Sequence, residues 1–176
     1  MKKKLSRVLL GLFGLFVVAQ FFRPELTNPQ SDPALSIKNY RGIPSEVIAK
    51  MEQACFDCHS NETRWPWYSR VTPVNYLIAK DVRNGRRHVN FSEWNSYSPG
   101  KLKTTLDNIY DQVYNHEMPL SKYKRMHSEA NLTDADVKMI CDWASGEQDR
   151  LDQVSEMQSE RSATERDKDD TARKKK

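Results

Sequence analysis

The chain has 176 residues, a formal net charge of +4 and a charged fraction of 30%. That length accommodates one domain with appendages rather than several domains. Its lysines and arginines are not gathered with aromatics on one helix face, so nucleic acid is not the expected partner.

Lys2, Lys3, Lys4 and Arg7 lead into residues 8–22, which are apolar except for Gln20. A basic start followed by an apolar run marks either a secretory signal or an uncleaved anchor. Phe21 and Phe22 stand where a signal peptidase needs small residues, which favours the anchor. Residues 5–22, with Arg7 snorkelling, reach roughly 27 Å at about 1.5 Å per residue, close to the ~30 Å hydrocarbon core. The expectation for residues 1–22 is therefore a transmembrane helix. Its basic end stays in the cytoplasm and the remainder lies outside, which in a bacterium is the periplasm.

Residues 23–44 hold Pro24, Pro29, Pro33 and Pro44, with few large apolar residues before Ile37. This composition reads as an extended polar linker. Ser45 follows as a helix cap, and Val47, Ile48, Met51 and Ala54 or Cys55 recur at helical spacing. A short amphipathic helix is expected to deliver the next motif.

That motif is Cys55-Phe56-Asp57-Cys58-His59. It reads C-x-x-C-H, the attachment signature of a c-type haem. Two thiols one helical turn apart add across the vinyl groups on one edge of the macrocycle, and the adjacent imidazole then reaches the iron. Cys55 and Cys58 are the expected thioether positions and His59 the proximal ligand. Three other readings compete. A redox dithiol belongs at a strand end in a βαβ context, which is missing nearby. A zinc site needs two further ligands from Cys141, His88, His116 and His127, which stand at no zinc-site spacing. A Cys55–Cys58 disulfide within a non-haem interaction module is the third.

Trp65, Trp67 and Tyr68 crowd three aromatics into four residues around Pro66. They are either a wall for the porphyrin or ordinary core. Residues 73–82 read as a helix with Val74, Leu77, Ile78 and Val82 on one side, ended by Asn84-Gly85 as a left-handed cap. Arg83, Arg86 and Arg87 then offer charge to haem propionates or to solvent. Ser92 is a candidate cap. Ser98-Pro99 opens a helix on which Leu102, Leu106, Ile109, Tyr110 and Val113 keep the 3.6-residue period.

Met118-Pro119 closes that helix, and a thioether just before proline can be offered across a ring from outside the helices. Met118 is the expected sixth ligand, with His116 or His127 as the bis-histidine alternative and His88 a lesser one. Thr133 caps a further helix whose Val137, Ile140, Cys141 and Ala144 share a face beside Trp143, and Gly146 closes it. Cys141 reads as a buried free thiol. Residues 147–176 have few apolar positions and near-balanced charge, as in a solvated helix fraying into disorder.

Cys55-Phe56-Asp57-Cys58-His59-Ser60-Asn61-Glu62-Thr63 followed by Trp65-Pro66-Trp67-Tyr68 resembles the bacterial haem-binding domain family of small membrane-anchored c-type cytochromes. Pro73-Val74, Asp81-Val82, Gly85-Arg86, Asn90-Phe91-Ser92-Glu93-Trp94, Glu117-Met118-Pro119, His127, Ala130, Leu132 and Trp143 continue the likeness, which covers roughly residues 40–146. The resemblance implies a mostly helical, cytochrome-c-like domain outside the cytoplasmic membrane. It also implies haem attachment at Cys55 and Cys58, iron ligation by His59, and a ligand role for Met118. Leu120-Ser121-Lys122-Tyr123 departs from relatives that carry more prolines and aromatics there.

The combined expectation is an all-α, cytochrome-c-like domain at residues 45–146, between the linker and the charged tail. It holds one covalent haem c and passes single electrons to a redox partner protein. Electron transfer needs no acid–base pair, and none stands out. The alternative is a haem sensor or peroxidase-like module with a labile sixth ligand.

Overall fold

Helical periodicity dominates the chain from end to end, and the computed structural model, which describes residues 2–173, is all-helical with no strand among the described residues. Among the described residues seven α-helices follow in order: α1 (Lys2–Ala19), α2 (Ser45–Ala54), α3 (Phe56–His59), α4 (Val74–His88), α5 (Pro99–Tyr114), α6 (Ser121–Lys124) and α7 (Asp134–Arg173). Short 3₁₀ turns occupy Pro33–Leu35, Ile37–Asn39, Trp67–Arg70, Phe91–Ser96 and Ser128–Ala130. The chain divides into two compact units. The first holds the part up to Asn39 together with Met51–Asn95, and the second holds Tyr40–Lys50 and the part from Ser96 onward.

The first unit is built on α3 packed against α4, with the Trp67–Arg70 turn also against α4. Along α4 the buried residues are Asn75, Ala79, Val82 and Gly85. The expected apolar face is only partly the buried one: Val82 is buried and Ile78 half-buried, but Val74 and Leu77 are exposed. Small residues take the inner face because α3 approaches the α4 backbone closely. Gly85 is not a cap, since α4 continues to His88.

Residues 23–39 are not a free spacer. Ile37 is fully buried, and the Asn28 amide donates to the Thr63 carbonyl at 2.9 Å. Lys38 pairs with Glu52 and Glu62 at 2.8 and 2.6 Å and lies over the Phe56 ring. The Asn95 amide donates to the carbonyls of Ala34 and Ser36.

The transmembrane expectation is corrected as well. Among the described residues no helix is long and apolar enough to cross a membrane. The reason lies in where α1 starts and stops. It takes in Lys2, Lys3, Lys4 and Arg7 and ends at Ala19, which leaves Phe21 and Phe22 outside the helix.

In the second unit α5 packs along α7. Ser98 caps α5, accepting from the Lys101 N–H, with Pro99 at the first helical position. Leu102, Thr105, Leu106 and Val113 are its buried residues. Thr133 and Asp136 form a reciprocal cap at the start of α7. The Thr133 N–H and hydroxyl both donate to the Asp136 carboxylate, and the Asp136 N–H donates to the Thr133 hydroxyl. Val137, Ile140, Cys141, Trp143 and Ala144 are buried as the period predicts. Cys141 is a buried thiol, and burial pushes its ionisation up.

Gly146 does not close α7, which runs on to Arg173. Immediately past it, Glu147 is buried. Tyr40 donates its hydroxyl to Glu147, and Arg150 donates to Glu147 Oε2 at 2.8 Å and to the Tyr40 hydroxyl at 2.9 Å. A buried carboxylate is tolerable when paired in this way. Lys103–Asp152 adds an exposed pair at 2.7 Å. The expected fraying at residues 174–176 lies outside the described residues.

Candidate haem-attachment site

Cys55 ends the run from α2, and its carbonyl accepts from the N–H groups of Cys58 and His59. Those bonds wind the motif into the single turn α3, with Phe56 and Asp57 buried and Cys55, Cys58 and His59 half-buried. Cys55, Cys58 and Cys141 are all thiols. Burial, with Cys58 alongside, pushes the Cys55 thiol up to about 12. A redox dithiol needs the opposite shift, so this environment counts against that reading. Among the described residues no group of three or more His, Cys, Asp or Glu side chains could hold a metal ion, which counts against the zinc reading.

His59 is fixed by the backbone of α4. Its Nδ1 lies 3.0 Å from the Gly85 carbonyl and 3.3 Å from the Val89 carbonyl. Both partners accept only, so Nδ1 carries the proton and Nε2 keeps the lone pair. A ligating histidine is set up in this way: the other ring nitrogen donates to a carbonyl, fixing tautomer and ring orientation. Burial holds the imidazole below its usual range, against the two backbone hydrogen bonds, which favour the proton.

Gly85 makes the approach possible. A Cβ there would overlap the Cys58 carbonyl oxygen, and it would stand 2.8 Å from that carbonyl carbon and 3.1 Å from Cys58 Cβ. Only glycine lets α3 come near enough for His59 to reach the Gly85 carbonyl. Phe91 lies 6.0 Å from the His59 ring and stacks on Phe56 at 5.3 Å, with Trp94 at 6.1 Å beyond.

The loop after the motif is wired in place. The buried Asp57 accepts from the Arg64 guanidinium on both carboxylate oxygens, at 3.1 and 3.2 Å, and from the Arg64 N–H at 3.0 Å. The Ser92 hydroxyl accepts from the Asn61 N–H, and the Asn90 amide donates to Asn61. Arg86 donates to the Ser60 carbonyl, the Thr63 hydroxyl and Asn28. Its guanidinium thus ties this loop to α4. Arg87 donates to Asn84 at the surface.

Of the expected haem wall, Trp67 is 76% exposed, which rules out the ordinary-core reading for that side chain. Tyr68 is half-buried and edge-on to Trp67. Trp65 is half-buried and donates Nε1–H to Asn28.

Met118 belongs to the second unit and is half-buried. The end of α5 folds back to hold it: the N–H groups of Glu117 and Met118 both donate to the Gln112 carbonyl at 3.0 Å, and His116 between takes a left-handed φ of 56°. His116 and His88 are exposed. His127 is half-buried, stacked on Tyr123 at 4.2 Å, with Nδ1 3.1 Å from the Glu129 carboxylate. Gly85, Val89, Asp57 and Arg86 carry the support of the site. Sequence patterning assigns Asp57 and Val89 no role and takes Gly85 for a helix cap. Gly85-Arg86 and Asn90-Phe91-Ser92 did stand in the family pattern, and that was the available signal.

The residues present fit a haem: adjacent thiols on one turn, and an imidazole held through Nδ1 so that Nε2 keeps its lone pair, beside the Phe91 ring. Fold and site define a helical domain of haem-protein type. The sequence matches the haem-binding domain family over residues 14–146, and the chain belongs to that family. No curated protein and no solved structure gives a significant match to the chain.

Proposed function

We propose that this chain is a c-type cytochrome that carries single electrons outside the cytoplasmic membrane, with one haem attached through Cys55 and Cys58. Bound there, the haem supplies one-electron iron chemistry. The observation that carries the reading is the His59 tautomer lock, Nδ1 to the Gly85 carbonyl at 3.0 Å, since a helix-borne histidine with no ligand to bind has little need of it. The residues of the chain do the positioning. Cys55 and Cys58 would tether one edge, His59 would ligate the iron through Nε2, and Phe91 packs beside the imidazole.

Met118 is proposed as the second iron ligand, on the family's methionine-proline pattern and on a backbone held at Gln112. A histidine–methionine pair raises the potential relative to bis-histidine. Trp65, Trp67 and Tyr68 are proposed to line the macrocycle. We also propose that α1 associates with the membrane: Leu5, Leu9, Leu10, Leu12, Phe13, Leu15 and Phe16 are all exposed along it, below a basic start suited to anionic headgroups.

The test is an optical spectrum of the exported protein, oxidised and reduced, beside Met118→Ala. Sharp c-type bands with a ferric sulfur-to-iron band that disappears in the variant support the shuttle. An unchanged spectrum removes Met118 and directs attention to His127 or His116. Ready carbon monoxide binding by the reduced wild type contradicts the shuttle and favours a sensor.

A further inference from the structure

Within the first unit, the end of α1 is joined directly to the segment that leads into α4. The Gln20 side chain brackets Thr72, donating to its carbonyl at 3.1 Å and accepting from its N–H at 2.9 Å. The Thr72 hydroxyl donates to the Phe22 carbonyl at 3.2 Å. Three hydrogen bonds between residues about fifty positions apart leave no flexible spacer there. Around this joint the surface is apolar. Phe21 is 82% exposed and Phe22 65%, and Val74 and Leu77, on the first turn of α4 just past Thr72, are 38% and 58% exposed. Arg23 and Arg70 are exposed at its edge, and Arg23 donates to the Gln20 carbonyl.

We propose that this joint is a lipid-docking rim. Phe21, Phe22, Val74 and Leu77 enter the interfacial layer, and Arg23 and Arg70 meet anionic lipid phosphates. The inference rests on the membrane reading of α1 and extends it to the rest of the first unit, which is held against the bilayer surface rather than suspended from it. Two features commit the face to lipid. Its apolar surface is continuous along the chain with the exposed apolar surface of α1, and the charges that flank it in sequence before Val74 and after Phe22, Arg70 and Arg23, are basic. Aromatic side chains beside arginines are the composition that partitions to a membrane–water interface.

The experiment is hydroxyl-radical footprinting by mass spectrometry of the full chain in nanodiscs of phosphatidylcholine and phosphatidylglycerol, at one chain per disc. Gln20→Ala, which releases the joint, and Leu77→Glu, an exposed position that folding tolerates, are run alongside. In the wild type, labelling of Phe22, Val74 and Leu77 is expected to be several-fold below that of Val74 and Phe22 in either variant. Labelling of residues 5–18 stays low in all three. Equal labelling of Phe22 and Val74 in wild type and variants overturns the rim while leaving the membrane reading of α1 intact. High labelling along residues 5–18 in every sample overturns that reading itself. Protection that appears only with two chains per disc assigns the face to a second copy and overturns the lipid proposal.

Discussion

Gly85→Ala tests the packing on which the site depends. The added Cβ would sit 2.8 Å from the Cys58 carbonyl carbon, where carbon–carbon contacts normally lie near 3.5–4.0 Å. Relief needs α3 and α4 to part by about 1 Å, which stretches the 3.0 Å His59–Gly85 bond beyond hydrogen-bonding range. Overpacking of this sort costs about 1–3 kcal/mol, and the lost hydrogen bond about 1 kcal/mol more. Against that, alanine gains about 1 kcal/mol over glycine inside a helix. The balance is a destabilisation of about 2 kcal/mol, read as a shifted midpoint in urea unfolding followed by far-UV circular dichroism. Gly146→Ala is the control, because nothing lies within 4 Å of its Cβ position in α7. It should stabilise by up to about 1 kcal/mol. A Gly85→Ala protein as stable as Gly146→Ala refutes the close-approach argument.

His116→Gly removes a side chain from a left-handed position, φ 56°, and should stabilise by about 1 kcal/mol without changing the haem spectrum. A lost or shifted spectrum would make His116 a ligand. Burial raises the Asp136 carboxyl, but hydrogen bonds from Thr133 and Lys50 outweigh it and hold the group below its usual value. Its contribution is therefore present above about pH 4 and is lost as pH falls through the lowered value. Asp136→Asn should cost about 1 kcal/mol at neutral pH and flatten that acid limb, as a urea series against pH would read. Thr133→Ala, losing the same cap, should cost about as much at neutral pH in the same urea assay.

How far the fold was legible follows from what each helix buries. On α5 and α7 the inner face is made of large apolar residues, Leu102, Leu106, Val137 and Ile140, so the 3.6-residue period exposes it. The inner face of α4 is Asn75, Ala79, Val82 and Gly85, and hydrophobic patterning picks Val74 and Leu77 instead. A glycine near a helix end looks the same in sequence whether it caps the helix or admits a neighbour's carbonyl. Glu147 was read as tail because its partner Tyr40 lies 107 residues away. The same holds at the site. The C-x-x-C-H turn is local and was readable, whereas its supports at Gly85, Val89 and Ser92 lie 26 to 31 residues off. The prolines of residues 23–39 suggest a spacer, and only the folded structure places Asn28 against the loop after the motif and Lys38 over Phe56.

The most direct test of the central claim is the intact mass of the exported protein. It should be made in cells that mature other c-type cytochromes, with Cys55→Ala, Cys58→Ala and the double variant alongside. The account predicts a wild-type mass raised by one haem that survives denaturation, and a polypeptide-only mass for the double variant. A wild-type chain with the mass of its polypeptide alone would contradict it.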